Sequence, residues 1–306
     1  MKFATRINSF KSMSIIETID EIAKVSGLTH VDLNYPEHFQ THSVKEIKEA
    51  LERNNLKLNA IAPRFRSQFV NGELGHADPE ISRKAIELCK QSVNVCRELG
   101  GSNIIIWLGN EGFDYSFQLN YSKVWKQVAA AFSEICEYGA DLKISIEYKP
   151  FQPRAYSFIS SYGDTLLMVN DVGASNLGVT LDFCHMLMKA ENPSYGLSLV
   201  AERDKLYGVH LNDGNKLNDD GLIVGSVNFI QSLEFIFYLK KYNYSGVIYF
   251  DTFPVRENPL EELKANIAMY SKLDSLIEHM GLHNLQSIID KNDAIAAQEI
   301  MLACLK

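Results

Sequence analysis

Cysteine is scarce and unpatterned in this chain: Cys89, Cys96, Cys136, Cys184 and Cys304 are odd in number and never stand two residues apart. That excludes a disulfide framework and a thiolate zinc knuckle as organising features. No stretch approaches the roughly 18 uninterrupted apolar residues of a membrane helix. No Gly-rich turn follows an early strand-like run, which speaks against a doubly wound nucleotide-binding sheet. No linker rich in Pro, Gly or Ser divides the chain. Positive charge is also short: 30 Lys and Arg against 38 Asp and Glu leave a net charge of -8, which argues against a broad nucleic-acid surface. The amino end, Met1 to Asn8, enters a strand-like alternation without the apolar run and cleavage site of a signal peptide, so a reducing, cytoplasmic setting is expected.

What is present is a regular alternation over 306 residues, of which 46% are hydrophobic. Strand-like runs at Lys2 to Asn8, His30 to Tyr35, Leu58 to Phe65 and Asn103 to Gly109 alternate with amphipathic helical patterns at Ser14 to Ser26, Ser43 to Asn54, Asp78 to Leu99 and Tyr121 to Tyr138. Asp78-Pro79 is a sound helix start, because Pro has no N–H to lose at the first helical position. Four more strands follow: Lys143 to Pro150, Gly178 to His185, Leu206 to Asp213 and Gly246 to Pro254. Their helices lie near Ser160 to Asn170, Pro193 to Arg203, Phe229 to Tyr242 and Pro259 to His279. Eight strand and helix pairs in unbroken order predict an α/β fold, a parallel (β/α)8 TIM barrel rather than an open sheet. The chain reads as one domain over 1–306, with 284–306 an extra C-terminal helical segment. Leu285, Ile288, Ile289, Ile295, Ile300 and Leu302 give that segment an apolar face suited to packing or to a homo-oligomer contact.

The later strands end in chemistry. In Lys143-Ile-Ser-Ile-Glu-Tyr-Lys-Pro150, side chains repeat every second residue, so Glu147 and Lys149 emerge on one side at the carboxyl end. Asp182, His210 and Asp251 occupy matching strand ends, and in a βα barrel those ends form the active face. Any one of them alone reads as a satisfied core or capping residue. Three carboxylates converging at one place, however, repel one another and need a cation. Oxygen-rich ligation with one imidazole suits Mn²⁺, Mg²⁺ or Co²⁺ better than structural zinc. A second set adjoins the first: His185 follows Asp182 by three positions, and the loop after His210 carries Asp213, Asp219 and Asp220. That loop reads either as a solvated turn or as part of a second ion site bridged by Asp182. Lys149 reads either as a counter-ion to Glu147 or as an electrophile that polarises a substrate oxygen.

These residues resemble the xylose isomerase-like TIM barrels, the family of xylose isomerase, rhamnose isomerases and ketose 3-epimerases. Glu147-Tyr-Lys149-Pro150 is similar to the isomerases' fifth-strand motif, in which the Glu binds metal and the Lys binds a substrate oxygen. Asp182-Phe-Cys-His185 resembles their Asp-x-x-His, and His210 with the Asp219-Asp220 pair resembles the rhamnose-type strand-seven His and its acidic loop. Asp251 falls where the last ligand stands. Trp107 and Glu111, in Ile106-Trp-Leu-Gly-Asn-Glu-Gly112, resemble the stretch that walls the sugar site. His38, with His42 and His76 as alternatives, is the candidate for the family's ring-opening His.

The resemblance implies one or two divalent ions per subunit, with Mn²⁺ favoured, held by Glu147, Asp182, His210 and Asp251 and by His185, Asp219 and Asp220. It also implies aldose to ketose isomerisation of a small unphosphorylated sugar, with Lys149, Glu147 and Asp251 catalytic, and no nucleic-acid or membrane partner. Arg64, Arg66, Arg154 and Arg256 leave a sugar phosphate open. Two departures favour isomerase over 3-epimerase: the last ligand is the shorter Asp251, and the epimerases' second Glu is replaced by Pro153 or Arg154. The alternatives are a 3-epimerase using Glu147 and Asp251 as a proton-transfer pair, and a barrel that binds sugar without turning it over. A DNA-repair endonuclease on a related barrel is disfavoured by the net charge of -8.

Overall fold

Strand residues alternate between two surroundings, and that alternation builds the molecule. Ile104, Ile144, Ile146, Val179, Leu181, Val209, Leu211, Ile248 and Phe250 point outward into one continuous core, where they meet Ile19, Ile47, Val93, Phe132, Leu233 and Leu263 of the surrounding helices. The alternate positions are small or polar and face the axis. Ala4, Val247 and Tyr249 make a separate cluster there, and the Ser145 hydroxyl lies 2.8 Å from that of Thr180. A Cβ at Gly208 would come within 2.4 Å of Thr180 Oγ1, so that position leaves room only for glycine.

The computed structural model describes residues 1–304. Eight strands form a closed barrel: β1 (Lys2–Arg6), β2 (Leu28–Tyr35), β3 (Lys57–Pro63), β4 (Asn103–Ile106), β5 (Lys143–Glu147), β6 (Leu177–Asp182), β7 (Leu206–Leu211) and β8 (Val247–Phe250). Every neighbouring pair is parallel, and β8 closes on β1 with Lys2 opposite Val247. The predicted (β/α)8 architecture is the one observed. The helices are α1 (Ile15–Ile22), α2 (Val44–Arg53), α3 (Pro79–Glu98), α4 (Tyr121–Tyr138), α5 (Tyr162–Val172), α6 (Phe183–Met188), α7 (Pro193–Ala201), α8 (Phe229–Lys241), α9 (Pro259–Met280), α10 (Leu282–Asp290) and α11 (Ala294–Cys304). Ser14 with Glu17 and Ser43 with Glu46 form reciprocal capping boxes, and the Asp78 carboxylate caps α3 by accepting from Glu80 N–H.

Two features differ from the sequence reading. The sixth strand stops at Asp182, because its carboxylate accepts from His185 N–H and starts the buried helix α6. A two-stranded antiparallel ribbon pairs Gly112–Phe113 with Tyr156–Ser157 across the loops after β4 and β5. The C-terminal segment contains two helices; Leu285 is buried in the core, while Ile295 is 76% exposed, and the last two positions of the predicted extension lie outside the described residues. All five cysteines are free. Among the described residues no helix is long and apolar enough to cross a membrane.

The loops after β3 and β4 are tied by a pair of buried acids. Glu111 accepts from the N–H groups of Glu73 and Gly75, at 3.0 and 2.7 Å. Glu73 accepts from Asn110 N–H at 2.8 Å, and its other oxygen has no partner. Burial, with Glu111 beside it, pushes the Glu73 carboxyl up to about 8. The folded chain thus keeps a proton that the unfolded chain releases above about 4.5, so this contribution to stability is complete at low pH and is lost as pH rises to about 8. Glu73→Gln is expected to flatten that slope and to stabilise the protein at pH 9 by on the order of 1–3 kcal/mol. Denaturant unfolding at pH 6 and pH 9 checks this; an unchanged pH slope in the variant would show that Glu73 is ionised in the native state.

Candidate metal centre at the strand ends

Parallel register brings the carboxyl ends of β5 to β8 level. Asp182 lies opposite His210, and His210 opposite Tyr249, with Asp251 just beyond the end of β8. Glu147, Asp182, His210 and Asp251 consequently each offer a ligand atom, all within 4.8 Å of one another. His210 Nδ1 lies 3.3 Å from Glu147 and 4.0 Å from both Asp182 and Asp251.

The electrostatics are those of a site short of positive charge. Burial would lower the His210 pKa, but Glu147 and then Asp251 and Asp182 push it up to about 10. His185 is driven the same way, up to about 9, chiefly by Asp182 and Asp219 against its burial. Burial, together with the neighbouring acids, pushes Asp182 up to about 7 and raises Asp251. Burial would raise Glu147 as well, but His210 outweighs it and holds the carboxyl below its ordinary value. Protons are thus drawn in where a cation would serve. Both His210 ring nitrogens and Asp219 Oδ1 are buried without a hydrogen-bond partner. Buried orphan donors and acceptors are costly unless something pairs them, and a set of carboxylates with imidazole fits a divalent ion of the Mn²⁺ or Mg²⁺ type.

The adjoining set is partly assembled. His185 Nδ1–H donates to the Tyr148 carbonyl at 2.9 Å, which turns Nε2 toward Asp219, 3.3 Å away. A backbone carbonyl holding one ring nitrogen is a common way of orienting a ligating imidazole. Asp219 points inward and accepts from Lys149 Nζ at 3.0 Å. Asp220 does not join it: its carboxylate turns back to accept from Asn215 N–H at 2.6 Å. Asp213 is consumed in the same loop by Gly214, Val227 and Asn228.

These groups open into a cavity of about 380 Å³ whose walls include Trp107, Lys149, Tyr249 and Phe253. Lys149 Nζ lies 5.3 Å from the centre of the Trp107 ring, within cation–π range. Glu111 is not in this wall; its carboxylate is occupied by the Glu73 and Gly75 amides. His38 is likewise turned away, accepting from Asn34 N–H at 2.9 Å, and burial pushes its pKa down to about 4. His42 and His76 also lie outside the wall.

Sequence reasoning missed several lining residues, among them Arg6, Asp32 and Asn34, while Arg64, which it singled out as a possible partner of a sugar phosphate, does line the cavity. It also missed Asn212, whose amide donates to Asp182 and to the Asp251 carbonyl while its oxygen accepts from Cys184 N–H. The signal for Asn212 was its place two residues after His210, which puts both on the inner face.

A model of the xylose isomerase-like TIM barrel family matches residues 20–273. Xylose isomerase of Thermus thermophilus is 24% identical over 221 residues, covering 70% of this chain and 57% of that protein. A probable sugar isomerase of Mesorhizobium japonicum is 24% identical across the whole chain and 74% of its own length. The chain thus spans little more than half of the former relative and about three quarters of the latter. Among solved structures, L-ribulose 3-epimerase superposes with a TM-score of 0.71 at 15% identity, covering 92% of this chain and 97% of that one. D-allulose 3-epimerase of a Methylomonas species, in complex with D-allulose, gives 0.65 at 20% identity, covering 87% and 90%. These structural likenesses concern the fold.

If the cluster takes a divalent ion, Mn²⁺ at about a hundred times its dissociation constant is expected to add roughly 2.7 kcal/mol to stability. The melting temperature should rise on adding Mn²⁺, fall on chelation, and cease to respond in His210→Gln. An unchanged melting temperature with Mn²⁺, together with no retained metal by elemental analysis, would remove the centre.

Proposed function

The chain belongs to the xylose isomerase-like TIM barrel family, and on that premise we propose that it is a divalent-metal-dependent isomerase converting a small aldose to its ketose. The observation that carries the reading is Lys149 beside the four converging groups, with its ammonium lining the same cavity as Glu147, His210 and Asp251. Glu147, Asp182, His210 and Asp251 would hold one ion, and His185 with Asp219 a second. A bound ion supplies Lewis acidity and a template for adjacent sugar oxygens.

The chain's own residues then have distinct tasks. Lys149, 8% exposed and fixed by Asp219, donates a hydrogen bond to the oxygen on which negative charge develops as the carbonyl shifts between neighbouring carbons. Trp107 presents an apolar face that orients the sugar's C–H side and keeps water away from it. Asn212 pins the Asp182 carboxylate and the Asp251 backbone together, so the strand-end geometry does not depend on the substrate for its shape. Glu147 and Asp251 both face His210, which commits them to the centre rather than to proton shuttling.

Replacing Lys149 by Met keeps the stem and removes the charge, and turnover should fall by roughly a hundred- to a thousand-fold with metal content retained. A rate near that of the unmodified protein would reduce Lys149 to a counter-ion of Asp219.

A second reading, 3-epimerisation of a ketose, is favoured by one observation. Glu147 and Asp251 line the same cavity while their surroundings push their pKa values in opposite directions, which is how an acid and a base are made from two carboxyls. The fate of the migrating hydrogen separates the two. Isomerisation by direct transfer in deuterated water leaves product carbon almost free of deuterium, whereas a proton-transfer pair introduces about one deuterium per turnover. Mass spectrometry of the product reads the difference, and extensive incorporation would replace direct transfer with a proton-transfer route, that of the 3-epimerase or of an isomerase working through proton transfer.

A further inference from the structure

The cavity has two electrostatic halves. Beside the acids of β5 to β8 lie cations from the first three strands: Arg6 at the end of β1, next to β8, Lys11 in the loop that follows, and Arg64 just after β3. Of the other arginines in loops at this face, Arg256 is exposed in the loop after β8, and two are spoken for. Arg66 donates to Glu37 at 2.6 Å and Arg154 to Asp114 at 2.7 Å. Arg64 is not. Its backbone N–H donates to the Tyr35 carbonyl at 2.8 Å, but among the described residues its guanidinium makes no ion pair and no hydrogen bond. The Trp107 ring lies beside it, with Cζ 5.4 Å from the centroid. Burial, with Arg66 and Arg6 nearby, pulls its pKa below the ordinary arginine value, and Glu37 and Asp251 offset this only in part.

Arg6 is nearly as free. It stands 3.9 Å from Asp251, too far for a good hydrogen bond, and lies over Phe253 at 4.2 Å. Arg64 also walls a smaller adjoining cavity of about 100 Å³ with Glu73, but that carboxyl, pushed up to about 8, is neutral at neutral pH and supplies no counter-charge.

An unpaired, partly desolvated guanidinium is expensive to keep, and its planar fork of donors matches a carboxylate or phosphate. We propose that Arg64, with Lys11 on the same cavity wall, is an anion subsite, and that the sugar this cavity accepts carries a carboxylate or phosphate at the end seated on Arg64 rather than on the Glu147, Asp182, His210 and Asp251 cluster. The proposal rests on the reading of the cavity as a sugar site and narrows it to acidic sugars. A neutral sugar would leave the Arg64 fork unpaired in the closed complex. A sugar with one anionic end pairs it, while its opposite end presents hydroxyl and carbonyl oxygens to the strand-end centre and Lys149.

Calorimetric titration of the full chain in Mn²⁺ buffer with ribitol, ribonate and ribitol 5-phosphate tests this without any need for turnover. One of the two anions should bind at least about ten times more tightly than ribitol, and which one does so distinguishes carboxylate from phosphate. Arg64→Gln should erase that preference while leaving ribitol affinity within about twofold, and Arg64→Lys should retain part of it; melting curves verify that both variants are folded. Equal binding of all three probes would overturn the subsite, as would an anion preference that survives Arg64→Gln, since the anion would then be seated on the metal centre. If ribitol fails to bind while an anion still binds through Arg64, the reading of the cavity as a sugar site falls and the anion subsite stands.

Discussion

The crowding of three carboxylates around one imidazole is the constraint on which this structure turns. Glu147, Asp182 and Asp251 offer oxygens within 4.8 Å of one another and of His210, in a place where water is largely excluded. Without positive charge the arrangement opposes folding, as the upward push on Asp182 records, and the acids favour a proton on His210 in its place. It is tolerated because it is held from outside. The hydrophobic layer between strands and helices fixes the register, and the register alone determines that these four ends coincide. A shift of one residue in β5 or β7 would send the charged side chains into that apolar layer, so the core and the site enforce each other.

Asp182 carries this coupling in a single residue. It ends β6, caps α6 through His185 N–H, and is pinned by Asn212 from the neighbouring strand. The same cap swings His185 inward, where the Tyr148 carbonyl fixes its ring. The Asp-x-x-His spacing is therefore a statement about helix geometry, since the third residue of a first turn is the one whose amide a capping carboxylate reaches.

That is also why part of the molecule was legible before any coordinates. Period-two runs separated by capped amphipathic helices encode a closed parallel barrel locally, and strand parity sends Glu147 and Lys149, or His210 and Asn212, to one face. Residues in loops obey no such period. Asp219 and Asp220 are adjacent and equally acidic, and only the path of the loop turns Asp219 inward and spends Asp220 on Asn215. Glu111 and His38 were drawn toward the site by the family resemblance, yet Glu111 is consumed by backbone amides of a neighbouring loop and His38 by the Asn34 amide of β2. Arg6, Asp32 and Asn34 were overlooked because the early strands lack a recognisable motif. Their role on the cavity wall follows from barrel closure, which sets β1 beside β8, and not from anything in their own segments.

Asp219 shows how two functions fit into one cavity without competing. One of its oxygens, Oδ2, accepts from Lys149 and lies near His185 Nε2, while Oδ1 is buried and unpartnered. A carboxylate with one oxygen committed to an ammonium and the other free can serve a second cation without releasing the first. Lys149 therefore has no need to leave its anchor for a site at His185 and Asp219 to fill, and its two other N–H groups stay available to the cavity. The same logic separates the cavity's ends. Asp219, with one orphan oxygen, stands beside the acidic centre, while Arg64, without an ion pair among the described residues, stands where a ligand's negative charge would be met.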